Sequence, residues 1–244
     1  MTSAPFDPAP LNPTPLDADT GDGTPIDDDF GIPAAAPKPM LRGWIHAGTL
    51  PVAIALGVVL TVLAEGTALT WACAVFLATS SLLFGISALY HRLNWGTKAT
   101  ALMRRLDHSN IFLLIAGTYT PMTVAALEAP TAKILLVLVW SGALLGIAFR
   151  LFWLSAPRWL YVLLYIGLGW TAVWFAGDLI QVNLAAVILV LIGGLAYTGG
   201  AVVYGLKRPD PSPGVFGFHE VFHTCTVVAF ACHWAAMLLF VLGA

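Results

Sequence analysis

The chain has 244 residues, 59% hydrophobic and only 10% charged, with a formal net charge of -2. Soluble domains carry about 25% charged residues, so this composition, with a mean hydropathy of +0.84, excludes an ordinary water-exposed surface. No basic stretch has the character of a nucleic-acid patch, which excludes nucleic acid as a partner.

The acidic residues are unevenly placed. Asp7, Asp17, Asp19, Asp22, Asp27, Asp28 and Asp29 all fall in a leading segment rich in Pro, Asp, Ala and Thr. Residues 1–37 hold too few bulky apolar groups to offset the chain entropy of folding, and are expected to be disordered. They lack a charged region followed by an apolar one, so no secretory signal is expected. The first hydrophobic span then serves as the insertion signal.

Residues 38–244 read as an all-α membrane domain. A spanning helix needs roughly 20 apolar residues. Seven runs meet that need: 44–64, 68–90, 109–127, 134–153, 159–177, 179–204 and 220–242. The fourth is the weakest, because its uninterrupted part ends at Arg150, whose side chain is expected to snorkel to the interface. Cys73, Cys225 and Cys232 all lie in apolar runs without CxxC spacing, and read as small buried residues.

The positive-inside rule orients the bundle. With a cytoplasmic N-terminus, Lys38, Arg42, Arg92, Lys98, Arg104, Arg105, Arg150, Arg158, Lys207 and Arg208 lie inside, and Lys133 alone lies outside. The C-terminus is then outside, opposite to a G-protein-coupled receptor. The last span also has no lysine for a retinal Schiff base.

Ionisable residues inside spans are costly and usually functional. The alternating helices bring His91, Asp107, His219 and His223 to one membrane face. His219 and His223 are spaced i, i+4 and share a helix face, which suits two imidazoles on one zinc ion. His91 offers a third imidazole. Asp107 is either a further ligand or the holder of a water on the metal. Ser87, one turn before His91, is placed to orient the imidazole or the water. Three protein ligands with one open position is the pattern of a catalytic zinc.

The other histidines read differently. His46 suits either an interfacial imidazole or a member of the site. His108 follows Asp107 and is expected to point elsewhere. His233 lies ten residues past His223, about 15 Å deeper by helix rise, and needs a polar partner of its own. Residues 219–223 also spell a formal HExxH, in which Glu220 would be the general base of an intramembrane metalloprotease. The favoured alternative is an interfacial Glu220, turned about 100° from His219 on the helix.

The Ser87-Ala-Leu-Tyr-His91 element, Asp107 in Arg105-Leu-Asp107-His108-Ser109-Asn110, the Ala116-Gly-Thr-Tyr-Thr-Pro121 run and the His219-x3-His223 element occur in this order. Together they resemble the haemolysin III branch of the progestin and adipoQ receptor (PAQR) family, which includes the adiponectin receptors. The resemblance covers about residues 40–244. It implies a seven-helix fold with an intracellular zinc site held by His91, His219 and His223, with Asp107 holding a water and Ser87 in the same site. It also implies kinship with alkaline ceramidases and a part in membrane lipid homeostasis. In one respect the chain departs from the family: its first element, Lys38-Pro-Met-Leu-Arg42-Gly-Trp-Ile-His46, keeps the histidine but lacks the usual acidic residue and asparagine.

The function expected first is a zinc-dependent hydrolase of a lipid amide or ester near the cytoplasmic leaflet, with membrane lipids as partners and substrate. The second is a non-enzymatic membrane sensor in which zinc ties the helices together. The third is a pore-forming cytolysin, which suits a chain of seven resident spans poorly.

Overall fold

A computed structural model describes residues 26–27, 32–33, 38–153 and 155–243. The expected disorder of residues 1–37 lies outside that set, save for two short strands. These are β1 (Ile26–Asp27) and β2 (Ile32–Pro33), which pair antiparallel within the unit Met1–Ala36. The helices belong to the unit Pro37–Ala244.

That second unit is a bundle of α1 (Trp44–Leu63), α2 (Thr67–Arg92), α3 (Thr97–Ala126), α4 (Ala129–Phe152), α5 (Arg158–Gly169), α6 (Ala176–Val182), α7 (Leu184–Leu206) and α8 (Phe218–Leu242). A 3₁₀ stretch, Trp170–Phe175, joins α5 to α6. Among the described residues, six segments are long and apolar enough to cross a membrane: α1, α2, α4, the run Trp159–Val182, α7 and α8. Large apolar side chains such as Val62, Leu145, Trp174 and Leu195 point outward. In water that surface would be unstable; in lipid it is the solvent-matched one.

The third expected span is α3, the most polar helix. Its flanks pack on α2 and α4, and it also touches α5 and α8. Its polar residues His108, Ser109, Asn110, Thr118 and Thr123 are buried against protein, which is where a membrane helix can carry them. The Asn110 side-chain amide, for example, donates to the Leu82 carbonyl at 3.2 Å. The helix starts twelve residues before the expected 109, since Thr97 to Arg105 extend it beyond the apolar run.

The boundary expected at Asp178 is also corrected. Asp178 lies inside α6, and the chain turns five residues later at Asn183, whose side chain caps α7 by accepting from the Ala186 amide at 3.0 Å. A single aspartate near a helix end does not stop a helix; an asparagine cap does. The 3₁₀ stretch has its own cause. The Tyr119 hydroxyl of α3 donates to the Gly169 carbonyl at 2.7 Å and accepts from the Ala172 amide at 2.6 Å. It thereby satisfies backbone groups that the broken ladder leaves open.

Close helix approach uses small residues, as is usual without a hydrophobic drive between spans. A Cβ at Gly57 would meet Leu77, one at Gly117 would meet Thr79, and one at Gly146 would meet Phe112. The core between α2 and α8 is aromatic: Phe76 stacks on Phe230, and Phe84 meets Phe230 edge-on with ring centroids 5.1 Å apart. Phe84 also meets His46 edge-on at 5.1 Å. The core therefore runs directly into the polar end of the bundle.

Candidate metal centre

Two helix ends carry the histidine cluster. His91 closes α2, while His219 and His223 stand one turn apart at the start of α8. All three imidazoles are buried, and one ring nitrogen from each lies within 4.8 Å of the others. The Nε2 atoms of His91 and His219 are 3.2 Å apart, close enough for one imidazole to donate to the other. A tetrahedral metal with bonds of about 2.0–2.1 Å sets its ligand nitrogens roughly 3.4 Å apart. The donor set therefore fits a first-row metal ion with little movement. Among the described residues this is the one group of three or more such side chains placed to hold a metal.

Asp107, on α3, brings Oδ2 to 3.9 Å from His91 Nε2. That separation is long for a direct hydrogen bond and short enough for a bridging water. Ser87 is buried one turn before His91 and shares a cavity wall with His46, Asp107, His219 and His223. His46 is not interfacial. It is buried and lies flat on His223, with centroids 3.8 Å apart and planes 4° from parallel. The sequence left both places open to it, and the packing of α1 against α8 decides between them.

Two expectations about charge are overturned. Arg150 does not snorkel: it is only 2% exposed. Its Nη2 lies 2.7 Å from His108 Nδ1, and its guanidinium sits 4.3 Å over the Tyr161 ring. His108 thus turns away from the three-histidine cluster, as expected, but it still lines the same cavity. Glu220 is not interfacial either: it is 1% exposed. It accepts from Arg42 Nε at 2.6 Å and from the Gly217 amide at 2.9 Å. Both carboxylate oxygens are committed, which removes the free general base that the HExxH reading needs.

The Arg42–Glu220 pair has a second consequence. Residues 40 and 41 donate backbone hydrogen bonds to the Gly214 and Val215 carbonyls at 3.1 Å, so the segment before α1 is strapped to the turn before α8. Arg42→Ala would leave the Glu220 carboxylate buried and unpaired. We expect a loss of about 3 kcal/mol, the low end for a broken buried pair because Arg42 keeps some solvent contact. Thermal unfolding in detergent checks this. Recovery in Arg42→Leu/Glu220→Leu would assign the loss to the stranded charge, and a wild-type melting temperature in Arg42→Ala would refute it. Neither Arg42 nor Arg150 stood out in the sequence as part of the site. The signal available was an ionisable residue at the edge of an apolar run.

A mostly apolar cavity of about 1590 Å³, counting its open side, extends from this cluster between α3, α5, α7 and α8. Along α8 it is lined by His219, His223, Thr226 and His233, a rise of about 21 Å. Met122, Leu179 and Val187 line its deeper part.

Comparison with known proteins agrees with this arrangement. A Haemolysin-III related family model matches residues 34–234. A hemolysin-3 homolog of Bacillus subtilis is 33% identical over 135 residues, covering 55% of this chain and 63% of the relative. Hemolysin-3 of Bacillus cereus is 37% identical over 125 residues, covering 50% and 56%. The match thus spans about six tenths of each bacterial relative. The ADIPOR-like receptor IZH2 of Saccharomyces cerevisiae is 41% identical over 54 residues, 20% of this chain and 17% of that protein. The family match takes in α1 to α7 and α8 up to Trp234, and with them every histidine of the polar end: this chain is a multi-pass membrane protein of the haemolysin III-related family.

Proposed function

We propose that this protein is a zinc-dependent hydrolase of a lipid amide or ester, working at the cytoplasmic side of the membrane. The observation that carries the reading is a buried three-imidazole cluster opening directly onto a long apolar cavity. A metal cluster sealed inside a core would serve stability alone, whereas one at the head of a cavity meets a ligand. The basic residues that alternating helices bring to this end of the bundle favour the cytoplasmic side.

His91, His219 and His223 would hold the zinc, which supplies Lewis acidity toward a carbonyl oxygen and acidity to water. The remaining steps belong to the chain. The cavity holds the acyl chain and keeps bulk water from the reacting carbonyl. Asp107 Oδ2 takes a proton from the attacking water and returns it to the leaving amine or alcohol. Ser87, on the same wall, would orient the polar head. His46, flat on His223, limits the rotation of that imidazole. The protein in lipid nanodiscs should release fatty acid from a ceramide, lose that activity with phenanthroline and regain it with added zinc. Release that ignores the chelator, or no release from amide or ester lipids, would overturn the hydrolase.

A second reading follows from the same cluster. Imidazoles from α2 and α8 joined through one ion would tie the two helices at their ends, as a structural zinc does. In that case the protein senses membrane state without turning over a substrate.

A further inference from the structure

His233 lies on α8 ten residues beyond His223, a rise of about 15 Å, and lines the same cavity. It is too far away to join the metal cluster. Its Nε2 stands 3.2 Å from the Val190 carbonyl oxygen on α7. A carbonyl only accepts, so Nε2 carries the proton and Nδ1 keeps a free electron pair. Nδ1 is buried and has no hydrogen-bond partner among the described residues.

The surroundings are built to hold this ring. Gly193 on α7 faces it, and a Cβ there would collide with the imidazole. A glycine inside a helix weakens the helix relative to alanine, so the space it leaves has a use. Tyr197, one turn further on, sets its ring 5.5 Å from the imidazole. Its phenol also lines the cavity and makes no hydrogen bond to a described residue. The Val190 contact accounts for one imidazole nitrogen as a tether between α7 and α8. It leaves the second nitrogen and the phenol unexplained.

A plain acyl chain would leave both groups desolvated and unmatched, which is costly at this depth. A hydroxyl satisfies both, donating to His233 Nδ1 and accepting from the Tyr197 O–H. We propose that His233 and Tyr197 form a subsite for a hydroxyl carried midway along the chain of the bound lipid, which makes the protein selective for hydroxylated lipids. The inference rests on the reading of the cavity as a lipid site.

The test is a binding comparison that needs no turnover. Zinc-loaded protein in detergent is titrated with stearate and with a stearate bearing a hydroxyl on its twelfth carbon, each displacing a fluorescent fatty acid. The hydroxylated chain should bind about fivefold more tightly, as expected for one or two well-placed neutral hydrogen bonds. His233→Phe should abolish the preference without weakening stearate binding, and Tyr197→Phe should reduce it. Melting temperatures identify a variant that fails to fold, and Tyr197→Phe decides the matter if His233→Phe does so. Equal affinities in the wild type, or a preference that survives His233→Phe, overturn the subsite alone. If neither fatty acid displaces the probe, the lipid reading of the cavity fails with it. Absence of hydrolysis by the native protein, with this preference intact, would count against the enzyme and leave the subsite standing.

Discussion

Changing His219 and His223 together to alanine is expected to strip the protein of its metal. Native protein should carry about one ion per chain by elemental analysis, and the double variant almost none. The two residues supply two of the three imidazole nitrogens that cluster within 4.8 Å, and the one remaining histidine cannot hold a first-row metal against water. Hydrolysis should vanish with the metal. The helical bundle should persist, because its core is carried by Phe76, Phe84, Phe112, Phe230 and Phe240 rather than by the cluster. Unchanged helicity by circular dichroism alongside metal loss is therefore the expected pair of results. A native protein without metal would remove the centre of the proposed function. A double variant that keeps its ion would place the site elsewhere.

Asp107→Ala is expected to do the opposite to the metal and the same to turnover. The three imidazoles remain, so metal content should hold at about one ion per chain. Turnover should fall by about a hundredfold to ten-thousandfold, the usual contribution of a positioned proton-transfer group. The geometry supports this division: Oδ2 lies 3.9 Å from His91 Nε2, outside direct contact with the imidazole yet on the cavity wall with Ser87 and His223. Asp107→Asn keeps the shape and removes the base, so it should behave nearly as poorly. Loss of metal in Asp107→Ala would make the aspartate a ligand. Full turnover would remove it from the chemistry. Any activity that survives Asp107→Ala and disappears in Glu220→Gln would revive the protease reading, which the double engagement of Glu220 by Arg42 and Gly217 argues against.

Glu220 shows how a short motif misleads. The spacing of His219, Glu220 and His223 is fixed by the helix, so two of its three residues meet in space whatever the function. The third takes its role from a partner 178 residues away, Arg42. No periodicity in α8 carries that information. Arg150 follows the same logic. Read along the chain, it is a cation at the end of an apolar run, placed to reach water. In the bundle, His108 and the Tyr161 ring lie within its reach and bury it.

The amino-acid sequence by itself determined the membrane class, the approximate place of the helical segments, and the grouping of His91, Asp107, His219 and His223 at one end. The reason is that lipid imposes a local rule: about 20 apolar residues per crossing, with polar residues allowed only where protein covers them. Alternation of helix direction then follows from counting. What only the tertiary structure decided was which polar residues touch. His46 against His223, Glu220 against Arg42, Arg150 against His108, and the His233–Tyr197 pair are all set by lateral packing. Lateral packing in a membrane depends on glycines such as Gly146 and Gly193, and on single hydroxyls such as that of Tyr119, rather than on a repeating pattern.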